Sequence, residues 1–273
     1  MKYLILTLVA LLGCIAVGVL LARLLRKVWG HPRSLPARIA TTLLGAALVL
    51  VAIAALYLGD YYHADQTALA ALDGNDAVAV SSTGGILRFD GPGERTALLF
   101  MPGAKVEAKA YAPLMLAIAQ GGVDCFVVSP PANIAFLGEG QLGDCLAANH
   151  YEHWVLGGHS LGGVVASSYA SGHPEQVDGL VLLASYASQS IDERIKVCSV
   201  YGSEDGVLDL DKAADLNVSS KGRTVLVLDG GNHADYGNYG PQKGDHPGTL
   251  GAQRQQAQTA QAILELAGSL EQQ

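Results

Sequence analysis

Acidic residues are missing from the first 59 positions of this 273-residue chain, although 25 Asp and Glu occur in the whole. The same 59 positions hold six Lys or Arg, so the formal charge of −8 leaves −14 on the 214 residues that follow. A domain so acidic lacks the basic footprint that nucleic acid requires. It would also be repelled by an anionic bilayer rather than adsorbed to it. Cysteine is scarce, with four in all, and no His or Cys grouping has the spacing of metal ligands. Phosphate-loop and dinucleotide fingerprints are absent too, and the chemistry is expected to need no metal and no cofactor. Cys198 reads as a buried thiol in mid-strand, while Cys125 and Cys145 could pair in an exported domain if space brings them together.

The acid-free segment is mostly apolar. Residues 4–22 carry no charge, and neither do residues 39–58. At about 1.5 Å per residue each run can cross a hydrocarbon core of roughly 30 Å. Between them lie Arg23, Arg26, Lys27, Arg33 and Arg38, with Pro32 and Pro36 as breakers. Residues 1–59 are therefore expected to form a two-helix transmembrane hairpin whose cationic loop stays in the cytoplasm, with everything from Asp60 onward outside a bacterial cell membrane. Two other readings of the first run are a cleaved secretory signal and a lipoprotein box at Leu11-Leu-Gly-Cys14, with Cys14 lipidated. An apolar stretch after Cys14, where a polar tether would be usual, speaks against the second.

Residues 60–273 are long enough for one well-formed core. Apolar or alternating runs recur at 77–82, 85–90, 96–101, 124–128, 153–157, 179–184, 197–201 and 224–228. Ser82-Thr-Gly-Gly85 suits a tight antiparallel hairpin, and helical segments at 107–120, 138–150, 160–172, 207–216 and 250–268 separate the later runs. The pattern predicts an α/β fold with an eight-stranded, mostly parallel sheet and flanking helices. Only about a dozen residues separate the strand ending near Ala184 from the one starting near Lys196. That leaves no room for a sizeable cap, so the edge above should be shallow and open.

Gly157-Gly-His-Ser-Leu-Gly-Gly163 follows the run His153-Trp-Val-Leu156. The G-x-S-x-G arrangement holds a serine hydroxyl on a sharp strand-to-helix turn whose flanks leave no room for a Cβ, which makes Ser160 a candidate nucleophile. In this arrangement an acid and then a histidine follow in chain order, each from a loop after a later strand. Asp205 satisfies the first requirement, in Gly202-Ser-Glu-Asp-Gly206, with the adjacent Glu204 as its rival. His233 satisfies the second, in Asp229-Gly-Gly-Asn-His233. His246, deep in a loop rich in Gly and Pro, reads as an ordinary surface histidine. An oxyanion needs backbone N–H donors: one is expected at Leu161, and the other at Ala104, or at Lys105, in the loop after the strand 97–101.

The stretches Met101-Pro-Gly-Ala-Lys-Val-Glu-Ala-Lys-Ala-Tyr-Ala-Pro113, Gly157–Gly163, Tyr201-Gly-Ser-Glu-Asp-Gly206 and Gly230-Gly-Asn-His-Ala-Asp-Tyr-Gly-Asn-Tyr-Gly240 resemble the bacterial α/β-hydrolase group related to dienelactone hydrolases and small carboxylesterases. The resemblance covers roughly residues 75–270 and implies the α/β-hydrolase fold. It departs from the wider group at Pro102-Gly103, where a His-Gly pair is common, and in having serine where dienelactone hydrolases have cysteine. The expectation is a membrane-anchored serine hydrolase acting on small-molecule or lipid-like esters. Its rivals are an acyltransferase or peptidase with the same three residues, and a silent hydrolase fold serving as a tethered binding module.

Overall fold

The computed structural model describes residues 16–24, 27, 35–209, 213 and 222–272, in two compact units, residues 1–60 and 61–273. In the first unit, residues 16–24 are helical, and helix α1 spans Leu35–Gly59. Residues 35–56 of α1 form one helix long and apolar enough to cross a membrane, with mean hydropathy 2.5 and almost none of it buried. Most of the first expected span, Cys14, and Arg26 and Arg33 of the expected loop lie outside the described residues. Where the two helical segments are both described they touch backbone to backbone. A Cβ on Gly18 would stand 2.8 Å from the Ala46 Cα, and one on Gly45 would stand 2.8 Å from the Gly18 carbonyl oxygen. Small residues at such a crossing let helices approach closely without a bulky seam.

In the second unit eight strands form one sheet: β1 (Ala79–Thr83), β2 (Ile86–Asp90), β3 (Thr96–Met101), β4 (Asp124–Val128), β5 (His153–His159), β6 (Gly179–Leu183), β7 (Lys196–Gly202) and β8 (Arg223–Leu228). Their order is β1-β2-β4-β3-β5-β6-β7-β8. The β1–β2 and β2–β4 pairs are antiparallel and all others parallel. Gly84 and Gly85 join β1 to β2 with φ of 62° and 78°, the left-handed pair that a two-residue hairpin requires.

Alternation along the parallel strands divides the core in two. Leu98 and Phe100 of β3, Cys125 and Val127 of β4 and Val181 and Leu183 of β6 face one side. That side is covered by α2 (Gln66–Ala71), α3 (Ala112–Gln120) and α6 (Ala252–Leu270). Leu99, Met101, Phe126, Val128, Leu180 and Leu182 face the other, under α4 (Glu139–Ala148) and α5 (Leu161–Gly172). This division bears on the cysteine pairing that the sequence left open. Cys125 and Cys145 are both free, because Cys125 belongs to the first face and Cys145, on α4, to the second. Between β6 and β7, residues 184–195 contain no helix. Of the helix expected at 207–216, residues 207–209 are bent or irregular, and apart from the helical Ala213 the remainder lies outside the described residues.

Candidate active site

Ser160 is the single residue between β5 and α5, and its backbone sits at φ 52°, ψ −124°. For a residue with a Cβ this region costs on the order of 1–3 kcal/mol, and the surroundings must hold it there. They do so at both ends of the residue. The Ser160 N–H donates to the Leu183 carbonyl at 2.9 Å, and the Ser185 hydroxyl donates to the Ser160 carbonyl at 2.6 Å. The flanking glycines are required by contact. A Cβ on Gly158 would overlap the backbone of Gly162, and one on Gly162 would overlap the carbonyl oxygens of Met101 and Pro102. The second contact brings the loop after β3 directly beside the serine turn.

Asp205 and His233 come from the loops after β7 and β8. These loops run against each other, since a Cβ on Gly202 would overlap the Gly231 carbonyl. The His233 Nδ1–H faces both Asp205 carboxylate oxygens, at 2.9 and 3.1 Å, and both side chains are buried. Asp205 is oriented in turn by the N–H groups of Val207 and Leu208, each donating to its Oδ1 at 2.8 Å. Glu204 is exposed and is not brought to the imidazole. The Nε2 of His233 is buried and has no hydrogen-bond partner among the described residues, Ser160 included. Such contacts are often long before substrate binds. His246 is exposed, and its carbonyl accepts the Asn232 side-chain amide at 3.1 Å.

The two oxyanion candidates in the loop after β3 separate clearly. The Lys105 N–H is already spent on the Asn133 carbonyl at 2.8 Å, whereas Ala104 is exposed and no hydrogen bond engages its N–H among the described residues. Leu161 opens α5, where the first-turn N–H groups lack helical partners. Two surface cavities, of about 390 Å³ beside Arg88 and Cys145 and about 560 Å³ beside Tyr151 and Tyr169, involve none of these residues. The site is defined by its geometry alone.

Residues that sequence reasoning passed over surround this cluster. Asp245 joins the two loops: its Oδ1 accepts the Gly206 N–H at 3.0 Å and its Oδ2 the Ala234 N–H at 2.9 Å. His159 lies with its ring 4.7 Å from that of His233. Its Nε2 meets the His233 carbonyl at 2.9 Å, and its Nδ1 meets the Tyr111 hydroxyl at 2.8 Å. Burial, and then the neighbouring His233, push the His159 imidazole well below its ordinary value. Tyr236, fully buried beside them, has its hydroxyl pushed well upward by burial and by the nearby carboxylates of Asp205 and Asp245. The histidine before the serine was visible within the motif, but no sequence signal marked its partners.

Residues 97–257 match the alpha/beta hydrolase family. The chain belongs to that family. Among solved structures it is similar to mouse alpha/beta hydrolase domain-containing protein 10, with 12% identity, a TM-score of 0.52, and coverage of 71% of this chain and 99% of that one. It is similar to Est1E from Butyrivibrio proteoclasticus at 10% identity and a TM-score of 0.50, covering 71% and 100% of the two chains. A soluble variant of the monoglyceride lipase of Saccharomyces cerevisiae in complex with a substrate analog is similar at 10% identity and a TM-score of 0.50, covering 71% and 97%. At such identities the likeness is one of fold. No curated protein sequence matches. Family and fold together define a hydrolase.

Proposed function

We propose that the protein is a membrane-anchored serine hydrolase that cleaves carboxylic esters through an acyl-enzyme intermediate. The observation that carries this reading is the buried His233–Asp205 pair, with His233 packed against His159, the residue before a serine held in strained backbone, and with nothing in the described chain occupying His233 Nε2. Ser160 attacks the ester carbonyl and His233 takes its proton, later delivering it to the leaving alcohol. Asp205 keeps the proton of the resting imidazole on Nδ1, so that Nε2 is free to act as base. The N–H groups of Leu161 and Ala104 receive the oxyanion. No step requires a metal or cofactor. With no helix between β6 and β7, the substrate meets an open edge, which suits a small-molecule or lipid-like ester.

Residues 1–59 serve as the anchor, a two-span hairpin in a bacterial cell membrane with the hydrolase unit outside. The apolar length of α1 and the close backbone contact of Gly18 with Gly45 and Ala46 support it. The enzymatic part is tested by turnover of p-nitrophenyl esters of graded chain length with the detergent-solubilised full chain. Ser160→Ala should abolish turnover. Asp205→Asn should lose about 10⁴-fold, as triad acids do, and Glu204→Gln should stay near wild type. The opposite ranking of the two acids would reassign the acid to Glu204.

A further inference from the structure

Attack on a carbonyl requires the oxyanion donors and the histidine base to be fixed relative to each other within tenths of an ångström. Here they come from the loops after β3 and β8, four strand positions apart in the sheet. At about 4.8 Å per position that is roughly 19 Å of sheet. Something above the sheet has to set their separation.

A buried chain of hydrogen bonds links the two loops. The Gly103 N–H, one residue before Ala104, donates to the Tyr111 hydroxyl oxygen at 3.0 Å. The Tyr111 O–H meets His159 Nδ1 at 2.8 Å, and His159 Nε2 meets the His233 carbonyl at 2.9 Å. A carbonyl only accepts, so the His159 proton sits on Nε2. Burial disfavours a charged ring, which leaves Nδ1 bare to accept from the tyrosine. Each direction in the chain is thereby determined. Tyr111 and His159 are both completely buried, and no space is left for slack: a Cβ on Gly103 would stand 2.9 Å from His159 Nδ1 and 3.2 Å from the Tyr111 oxygen.

We infer that Tyr111 and His159 are positioning residues which set the distance between the oxyanion loop and the His233 base, by joining the Gly103 N–H to the His233 carbonyl. This rests on the reading of Ser160 and His233 given above. His159 makes no hydrogen bond to the reacting Nε2 of His233; it holds the residue by its carbonyl and packs against its ring. A relay of this kind is needed in the transition state, when oxyanion and imidazolium exist together, and far less for substrate binding. Its loss should appear in kcat with KM little changed.

The test measures esterase kinetics and inhibition by a trifluoromethyl ketone, which forms a tetrahedral adduct with the serine, in the full-length chain carrying Tyr111→Phe. Expected are an unfolding midpoint close to wild type, kcat reduced roughly 10- to 100-fold, KM within about two-fold, and ketone affinity weakened in proportion to kcat/KM. A Tyr111→Phe chain with kcat within two-fold of wild type would overturn the inference, as would a loss of turnover with unchanged ketone affinity. If Tyr111→Phe does not fold, His159→Gln and His159→Leu carry the comparison. The glutamine retains a donor for the His233 carbonyl and should outperform leucine at equal stability, and equal activity would count against the relay. Should the wild-type chain itself fail to react at Ser160, the reading of the nucleophile fails first, before any variant is compared.

Discussion

Gln255 holds Asn232 by both of its backbone groups: the Asn232 N–H donates to Gln255 Oε1 at 3.0 Å, and Gln255 Nε2 donates to the Asn232 carbonyl at 2.8 Å. Its neighbour Gln256 grips the other side of His233, donating to the Asp235 carbonyl at 3.1 Å and to the Asn238 side chain at 2.9 Å. Helix α6 thus clamps the histidine loop at the residue before His233 and again two residues after it. Gln255 is completely buried, and an apolar replacement would leave two backbone groups without partners.

Gln255→Leu is therefore expected to lose about 1–3 kcal/mol for each group left unsatisfied and to lower esterase turnover as His233 drifts. Urea unfolding and steady-state kinetics on the same preparation measure both. Gln258→Leu, on the same helix but at an exposed position, should change neither by much.

The strained turn at Ser160 makes a prediction about stability. Glycine adopts φ 52°, ψ −124° without penalty and alanine does not. Ser160→Gly should accordingly be more stable than Ser160→Ala by about 1 kcal/mol, seen as a melting midpoint roughly 2–4 °C higher for a domain of this size, while both are inactive. A glycine variant less stable than the alanine variant would mean that the turn carries no strain.

His159 supplies a pH dependence. Its folded value is depressed by burial and by His233, while in the unfolded chain it returns to about 6.5. Above that value both states are neutral and pH has no effect through this residue. As pH falls below it the unfolded state binds a proton that the folded state refuses, so stability declines by up to about 1.4 kcal/mol per pH unit until the folded value is reached. Denaturant titrations between pH 7.5 and pH 5 should show this slope in the wild type and a shallower one in His159→Gln. Parallel slopes would assign the acid sensitivity to other groups.

The contrast between Ser160 and Gln255 shows what the sequence could reveal. Ser160, Asp205 and His233 announce themselves locally, through a glycine-framed turn and through loops that end recognisable apolar runs, and the eight strands follow from the same runs. Gln255 sits in Ala252-Gln-Arg-Gln-Gln-Ala257, whose polar composition reads as a solvated helix face, and its role exists only once α6 packs across the loop after β8. Tyr111 and His159 are 48 positions apart, and no local pattern joins them. Lys105 could be set aside as an oxyanion donor only by seeing its N–H engaged by Asn133. Cys125 and Cys145 looked capable of pairing until alternation along β4 placed one on each face of the sheet.

In the proposed reading, the topology of residues 1–59 decides on which side of the membrane the hydrolase meets its substrate. Translocating the segment from Arg23 to Arg38 would carry five cationic side chains across hydrocarbon with no acid to offset them. Alkaline phosphatase fused after Asp60 in a bacterial host should be active, since it folds only when exported, and protease added to spheroplasts should clip the hydrolase unit. A silent phosphatase with a fluorescent cytoplasmic reporter at the same junction would reverse the orientation.

The central claim is that Ser160 is a nucleophile activated by His233 and Asp205. Its most direct measurement is reaction of the full-length protein with a fluorophosphonate probe, followed by peptide mass spectrometry to locate the adduct. The account predicts one phosphonylated residue, Ser160, formed quickly in the wild type, slowed by orders of magnitude in His233→Ala and absent in Ser160→Ala. An adduct on another serine, or labelling at the wild-type rate in His233→Ala, would contradict it.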